Sequence, residues 1–244
     1  MSYVGRLFAA AAPVVLALTG SAIVAAPAHA EPEPCADVEV VFARGTFEPA
    51  GVGGTGQAFI DSLRAKTEGK SVDVYAVNYP ASLDFGAAAD GVIDASNRVR
   101  DVAARCPDTK IVVGGYSQGA AVAAYITEDS VPQGFDLPPG ITEPMPAEVA
   151  DHVAAVVLFG KPSSGFLQMI YSGAPPINVG SRYVAKTTDV CIPGDPVCST
   201  GGGPGSHDAY VADGLTDQAA TFAADKVNAA AAPTGRNRPP AATR

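Results

Sequence analysis

The pentapeptide Gly115-Tyr116-Ser117-Gln118-Gly119 constrains this chain more than any other stretch. It ends the apolar run Lys110–Tyr116 (KIVVGGY) and leads into the small-residue stretch Ala120–Ile126. The run has the continuous apolar content of a buried parallel strand. The stretch after it reads as a helix. A serine between the two must sit on a tight, strained turn, with its hydroxyl projecting from the sheet edge. Gly115 and Gly119 lack side chains, so strand and helix can approach closely around it. The backbone N–H of Gln118 then lies at a helix N-terminus, where developing negative charge is favoured. An ordinary N-cap serine in a glycine-rich turn is the plainer alternative. The strand–motif–helix setting favours a nucleophile.

The pattern around it alternates. Val38–Ala43 (VEVVFA), Val72–Val77 (VDVYAV) and Val153–Phe159 (VAAVVLF) read as further strands, and Arg182–Ala185 as a fifth. Helices are expected after Gly51–Gly56, through Ile60, Leu63 and Lys66, then over Gly86–Ala104 and from about Asp217 to Lys226. This alternation predicts an α/β class: a parallel sheet covered on both faces. Two stretches interrupt it. Pro132–Pro146 reads as an irregular surface excursion. Pro162–Pro176 mixes Phe166, Leu167, Met169, Ile170 and Tyr171 with Gly and Pro. Core packing is the favoured reading there, and an apolar loop beside a substrate entrance is the other.

The N-terminus reads as an export signal. Arg6 precedes the apolar run Leu7–Ala26, which Pro13 and Gly20 interrupt, and Ala28-His29-Ala30 fits small-x-small cleavage. Residues 1–30 are therefore expected to be removed rather than kept as an anchor. One domain remains at 31–228, with an Ala/Pro/Arg-rich, disordered tail at 229–244. The product would be secreted, either free or associated with the cell wall. Losing Arg6 takes the formal net charge from −9 to −10. Scattered negative charge disfavours nucleic acid and anionic membrane surfaces as partners. No later segment has the length and apolarity for stable membrane insertion.

Four cysteines, Cys35, Cys106, Cys191 and Cys198, meet an oxidising compartment after export, so two disulfides are expected. Three pairings are possible. The closeness of Cys191 and Cys198 favours a local staple. Cys35 and Cys106 would then close a long loop, worth about 4 kcal/mol. No C-x-x-C pair or histidine stands at zinc spacing, so no metal site is expected.

A serine hydroxyl needs a base. Beyond residue 30 the chain has only His152 and His207. His152 stands just before a strand, on the wrong side of the sheet, and reads as a surface residue. His207 follows the Gly/Ser-rich Ser199–Ser206, a loop able to carry an imidazole over the sheet edge. An acid between Ser117 and His207 could be Asp189 or Asp195. Asp195 lies inside the two-proline segment Cys191–Cys198, whose rigidity would orient an imidazole. Asp189 could brace a turn instead. Asp208 is too close in sequence to His207 to face its ring.

Taken together these motifs are similar to those of the cutinase family, in its actinobacterial, mycobacterial-type branch. The matching pieces are Ala43-Arg44-Gly45-Thr46, Gly114–Gly119, Gly194-Asp195-Pro196-Val197-Cys198 and Ser206-His207, with all four cysteines. The resemblance implies a small α/β-hydrolase fold with a central five-stranded parallel sheet flanked by helices. It implies the pairs Cys35–Cys106 and Cys191–Cys198, and a Ser117, His207, Asp195 triad. It also implies a second oxyanion donor at Thr46 beside Gln118; alone, Thr46 reads only as a turn residue after a strand. A shallow, exposed active site follows, bordered by Tyr79–Gly86 and the His207 loop. So do an ester or lipid substrate, carboxylic ester hydrolysis without metal or organic cofactor, and a monomer. An acyltransferase and a non-catalytic cell-envelope binding protein are the alternatives on this scaffold. Pro132–Pro146 is longer than in fungal cutinases, and the tail is extra.

Overall fold

The computed structural model describes residues 34–132, 139 and 142–229. The expected signal segment, most of the tail and the middle of the 132–146 excursion lie outside them. The strands are β1 (Val38–Ala43), β2 (Val72–Ala76), β3 (Lys110–Tyr116), β4 (Val153–Phe159) and β5 (Thr187–Val190). All neighbours pair in parallel, in the order β2-β1-β3-β4-β5. The helices are α1 (Gly53–Lys66), α2 (Ala88–Arg105), α3 (Gln118–Tyr125), α4 (Ser164–Ile170) and α5 (Leu215–Ala229). The fold is the expected α/β-hydrolase arrangement. No helix among the described residues is long and apolar enough to cross a membrane.

Strand side chains alternate between two cores. Val41 and Ala43 of β1, Val113 of β3 and Leu158 of β4 face α2 and α3, meeting Ala95, Val99, Ala120 and Val122. Val40, Phe42, Val112 and Phe159 face α1 and α5, meeting Phe59, Leu63, Ala220 and Ala223. Phe42, Phe59 and Phe159 pack ring on ring, with centroids 5.9–6.5 Å apart. Burial on both faces explains the dense apolar content of β1, β3 and β4, broken within β1 only by Glu39, which is buried against Arg98.

The helix after β1 covers one face and the helix after β3 covers the other. β1 and β3 are adjacent, so the chain reverses its winding between them. The crevice outside the strand C-termini at such a point is where α/β folds bind ligands.

Two expectations are corrected. The fifth strand is Thr187–Val190, not Arg182–Ala185. Tyr183 is buried in the core, Val184 is exposed, and Val184–Lys186 form a single 3-10 turn. Pro162–Pro176 is not mainly core. Ser163 caps α4, its Oγ accepting the Phe166 N–H at 3.2 Å, and Met169 is exposed. Only Pro162, Leu167 and Ala174 among its apolar residues are well buried, and α4 contributes to neither of the two cores.

The disulfides are Cys35–Cys106, spanning 71 residues, and Cys191–Cys198, spanning 7. The first ties the start of β1 to the end of α2.

The turn at Ser117 depends on contacts that no side chain could share. A Cβ on Gly119 would lie 2.0 Å from the Ala43 carbonyl oxygen, and one on Gly115 2.0 Å from the Gly119 carbonyl oxygen. Neither obstacle is a flexible side chain. Gly119→Ala is therefore expected to destabilise the fold by at least about 3 kcal/mol. Urea denaturation checks it; a loss below about 1 kcal/mol would contradict the reading.

Candidate active site

Ser117 sits between β3 and α3 with φ 56° and ψ −118°, a conformation rarely adopted by side-chain-bearing residues. Its N–H donates to the Phe159 carbonyl at 2.8 Å, and its own carbonyl accepts from Ala120 and Ala121. The turn is held from β4 on one side and α3 on the other. The hydroxyl is left facing His207: Ser117 Oγ and His207 Nε2 are 2.8 Å apart.

The other imidazole nitrogen, Nδ1, lies 2.8 Å from Asp195 Oδ2. With Nδ1–H donating to the carboxylate, Nε2 carries the lone pair that faces the serine. Asp195 is fully buried. Its Oδ1 accepts the Val197 N–H at 2.8 Å, and its Oδ2 also accepts the Tyr210 hydroxyl. Burial alone would raise this carboxyl. Hydrogen bonds from Tyr210, His207 and the Val197 N–H outweigh burial and hold it below the usual carboxylate range.

The remaining acids and the other histidine are placed elsewhere. Asp189 lies within β5 and pairs with Lys161 at 3.4 Å; burial pushes its carboxyl up, and Lys161 opposes that. Asp208 accepts from the Tyr116 hydroxyl at 3.2 Å. His152 lies before β4, at the opposite end of the sheet.

Gln118 supplies the first N–H of α3, and Thr46 lies just past β1, beside β3. Both line one cavity with Ser117 and His207. Neither backbone N–H has a protein acceptor among the described residues. The Thr46 loop is fixed by a buried cation. Arg44 donates to the carbonyls of Glu48, Val77 and Tyr79, at 2.9, 3.4 and 2.6 Å. Glu48 in turn accepts the N–H groups of Gly45 and Gly54, at 2.6 and 2.7 Å. The Gln118 side chain ties α3 to the loop after β2, donating to the Ser82 carbonyl at 3.0 Å.

Several supporting residues escape a sequence reading. Tyr116 stacks on the imidazole, centroids 4.9 Å apart, and its hydroxyl donates to the His207 carbonyl at 2.8 Å. Tyr210 meets the imidazole edge-on and holds Asp195. Gly160, at φ 58°, leaves room for both, since a Cβ there would lie 2.9 Å from His207 Cε1. The only sequence signals were two tyrosines, one beside Ser117 and one three residues after His207.

Comparison with known proteins gives this geometry its family. The family model described as Cutinase matches residues 34–227. The chain belongs to the cutinase family. It is 48% identical over 218 residues to "Carboxylesterase Culp1" of Mycobacterium tuberculosis, covering 88% of this chain and 94% of that protein. It is 45% identical over 230 residues to "Phospholipase Culp4" of the same organism, covering 91% and 96%. Among solved structures, the Trichoderma reesei cutinase in complex with a phosphonate inhibitor is 35% identical. It superposes with a TM-score of 0.58, covering 80% of this chain and 78% of that one. The catalytic core of an acetyl xylan esterase from Trichoderma reesei shares the fold, with a TM-score of 0.62 at 24% identity over 79% and 100%. This cutinase-family protein is a carboxylic ester hydrolase of the mycobacterial type.

The low-lying Asp195 gives a signed expectation. A carboxyl held low in the folded state stabilises the fold above its ordinary titration range. That contribution is lost as pH falls through the folded value. Tyr210→Phe keeps the ring and removes one donor. Stability near neutral pH should fall by about 2 kcal/mol, and acid unfolding should begin at higher pH. Urea midpoints across the acid range check this; an unmoved acid limb would contradict it.

Proposed function

We propose that this cutinase-family esterase acts through Ser117 as nucleophile, His207 as general base and Asp195 as the group that orients and stabilises the imidazolium. The observation that carries the reading is the unbroken relay: Oγ to Nε2 at 2.8 Å, then Nδ1 to a buried carboxylate at 2.8 Å. His207 takes the hydroxyl proton as Ser117 Oγ bonds to the ester carbonyl carbon. The oxyanion forms beside the backbone N–H groups of Gln118 and Thr46. One such donor is typically worth about 3 kcal/mol in the transition state. The ester C–O bond breaks, and the alcohol leaves with the proton from His207. Water, deprotonated by His207, then attacks the acyl-enzyme; the acyl–Oγ bond breaks, the acid departs, and His207 returns the proton to Ser117 Oγ.

A lipid or other apolar ester is the proposed substrate. Phe47 and Leu83 are 73% and 63% exposed where they line the cavity holding Ser117, and exposed apolar rims suit apolar ligands. Export of the 31–228 domain, with 1–30 removed, is part of the proposal. Two disulfides support it, because they persist in oxidising compartments.

Kinetics on p-nitrophenyl butanoate test the roles. Ser117→Ala and His207→Ala should each lower kcat by at least about 10⁴-fold, and the double variant should lose no more than either alone. Asp195→Asn should fall by about 10⁴-fold as well. Additive losses, or near-normal turnover in Ser117→Ala, would overturn the assignment. Adding acceptor alcohols to the same assay separates hydrolysis from acyl transfer.

A further inference from the structure

The ladder between β1 and β3 ends at Ala43 and Gly115, three residues before Thr46 and three before Gln118. The two proposed oxyanion donors therefore lie beyond the sheet pairing, which does not fix the distance between them. The segment Tyr79–Ser82, which follows β2, joins them instead. Its four successive carbonyls all accept from the two donor elements. Arg44, two residues before Thr46, donates to Tyr79 at 2.6 Å and to Pro80 at 3.4 Å. The Phe47 N–H donates to Ala81 at 2.7 Å. The Gln118 side-chain Nε2 donates to Ser82 at 3.0 Å. One end of the segment is thus tied to the Thr46 loop, and the other to the first residue of α3.

Backbone strain marks the same three pieces. Among the described residues, the non-glycine residues with positive φ are Phe47, Ala81 and Ser117, at 64°, 50° and 56°. Residues with side chains avoid this region, and such outliers cluster where function demands a fixed shape. Phe47 is the third residue of a β-turn closed by the Glu48 N–H on the Gly45 carbonyl at 3.2 Å. Glycine or asparagine is the ordinary choice there. With a right-handed residue at that position the central peptide of the turn is reversed. The Thr46 carbonyl, rather than the Phe47 N–H, would then face Ala81. The Phe47 ring is exposed, so packing does not explain the conformation. Gln118 carries a cost of its own. It is buried, and its Oε1 has no hydrogen-bond partner among the described residues. A buried acceptor without a donor is destabilising, and a leucine there would avoid it. Two local costs sustain one set of contacts.

We propose that Tyr79–Ser82 is a spacer that sets the separation of the two oxyanion donors, with Phe47 and the Gln118 side chain as positioning residues. Phe47 acts through its left-handed backbone, and the Gln118 amide acts through Ser82. The spacer rests on the Ser117 mechanism proposed above and supplies what holds its donors apart. A misplacement of about 1 Å in such a site costs on the order of 10²-fold in rate.

The test is turnover of p-nitrophenyl acetate. Phe47→Gly and Phe47→Asn accept the left-handed turn, and their kcat should stay within about threefold of the parent. Phe47→Val resists it and should lose at least about tenfold in kcat, with KM little changed. Gln118→Leu keeps the backbone N–H and removes both the tie to Ser82 and the orphaned oxygen. Its kcat should fall by at least about tenfold while its urea midpoint does not fall. A merely structural role would lower the midpoint and spare kcat in the folded protein. An alkyl trifluoromethyl ketone reads the donors directly. Ser117 Oγ bonds to its carbonyl carbon, the hydroxyl proton passes to His207, and the carbonyl electron pair becomes an oxyanion. Its inhibition constant should rise in step with the loss of kcat in Phe47→Val and Gln118→Leu. Parental kcat in either folded variant, or equal losses in Phe47→Gly and Phe47→Val, would overturn the spacer. Ketone inhibition that Ser117→Ala abolishes and these two variants leave unchanged would keep the triad and remove the spacer. Turnover that survives Ser117→Ala would remove both.

Discussion

The contact on which the molecule depends is the close backbone approach of β1, β3 and α3 around Gly115 and Gly119. There the Ala43 and Gly119 carbonyls occupy the space a Cβ would need. This approach forces the chain to turn within one residue, and that residue is Ser117, held at φ 56°. Such strain persists only where the surroundings over-determine it. Here the surroundings are the β4 hydrogen bond to its N–H, the first turn of α3 and two cores packed on either side of the sheet. The same turn sets Gln118 at the start of α3, in the lining of the cavity that Thr46 also borders.

The partners of Ser117 arrive from farther along the chain and are fixed by different means. Asp195 is held by three hydrogen bonds and bracketed by the Cys191–Cys198 disulfide. His207 is carried on a loop with little regular structure, so its position relies on Tyr116 beneath the ring and Tyr210 at its edge. On the other side, Arg44 and Glu48 do comparable work for Thr46. The site is thus rigid at the sheet edge through backbone contacts and rigid above it through side chains. That combination suits a reaction in which fixed donors must meet a charge that forms only briefly.

Much of this was legible in the residues. The bounds of β1, β3 and β4 follow from their dense apolar content, because both faces of those strands are buried. Ser117 and His207 follow from motif context and the scarcity of histidine, and Asp195 from its rigid two-proline segment between Cys191 and Cys198 together with the family resemblance. β5 was misplaced because it is a four-residue edge strand, Thr-Thr-Asp-Val, with no apolar run to mark it. Arg44, Glu48 and Tyr210 were not legible as supports. Arg44 serves carbonyls more than thirty residues away, and Tyr210 reads as any core aromatic until Asp195 is seen against its hydroxyl.

In the proposed reaction the strained residue Ser117, and no other, takes the acyl group. Reaction of the folded protein with a fluorophosphonate, followed by peptide mapping by mass spectrometry, measures this directly. A single stoichiometric adduct on Ser117 is expected, and it is lost when the protein is unfolded before treatment. An unmodified Ser117 in folded protein, or an adduct on another residue, would contradict it.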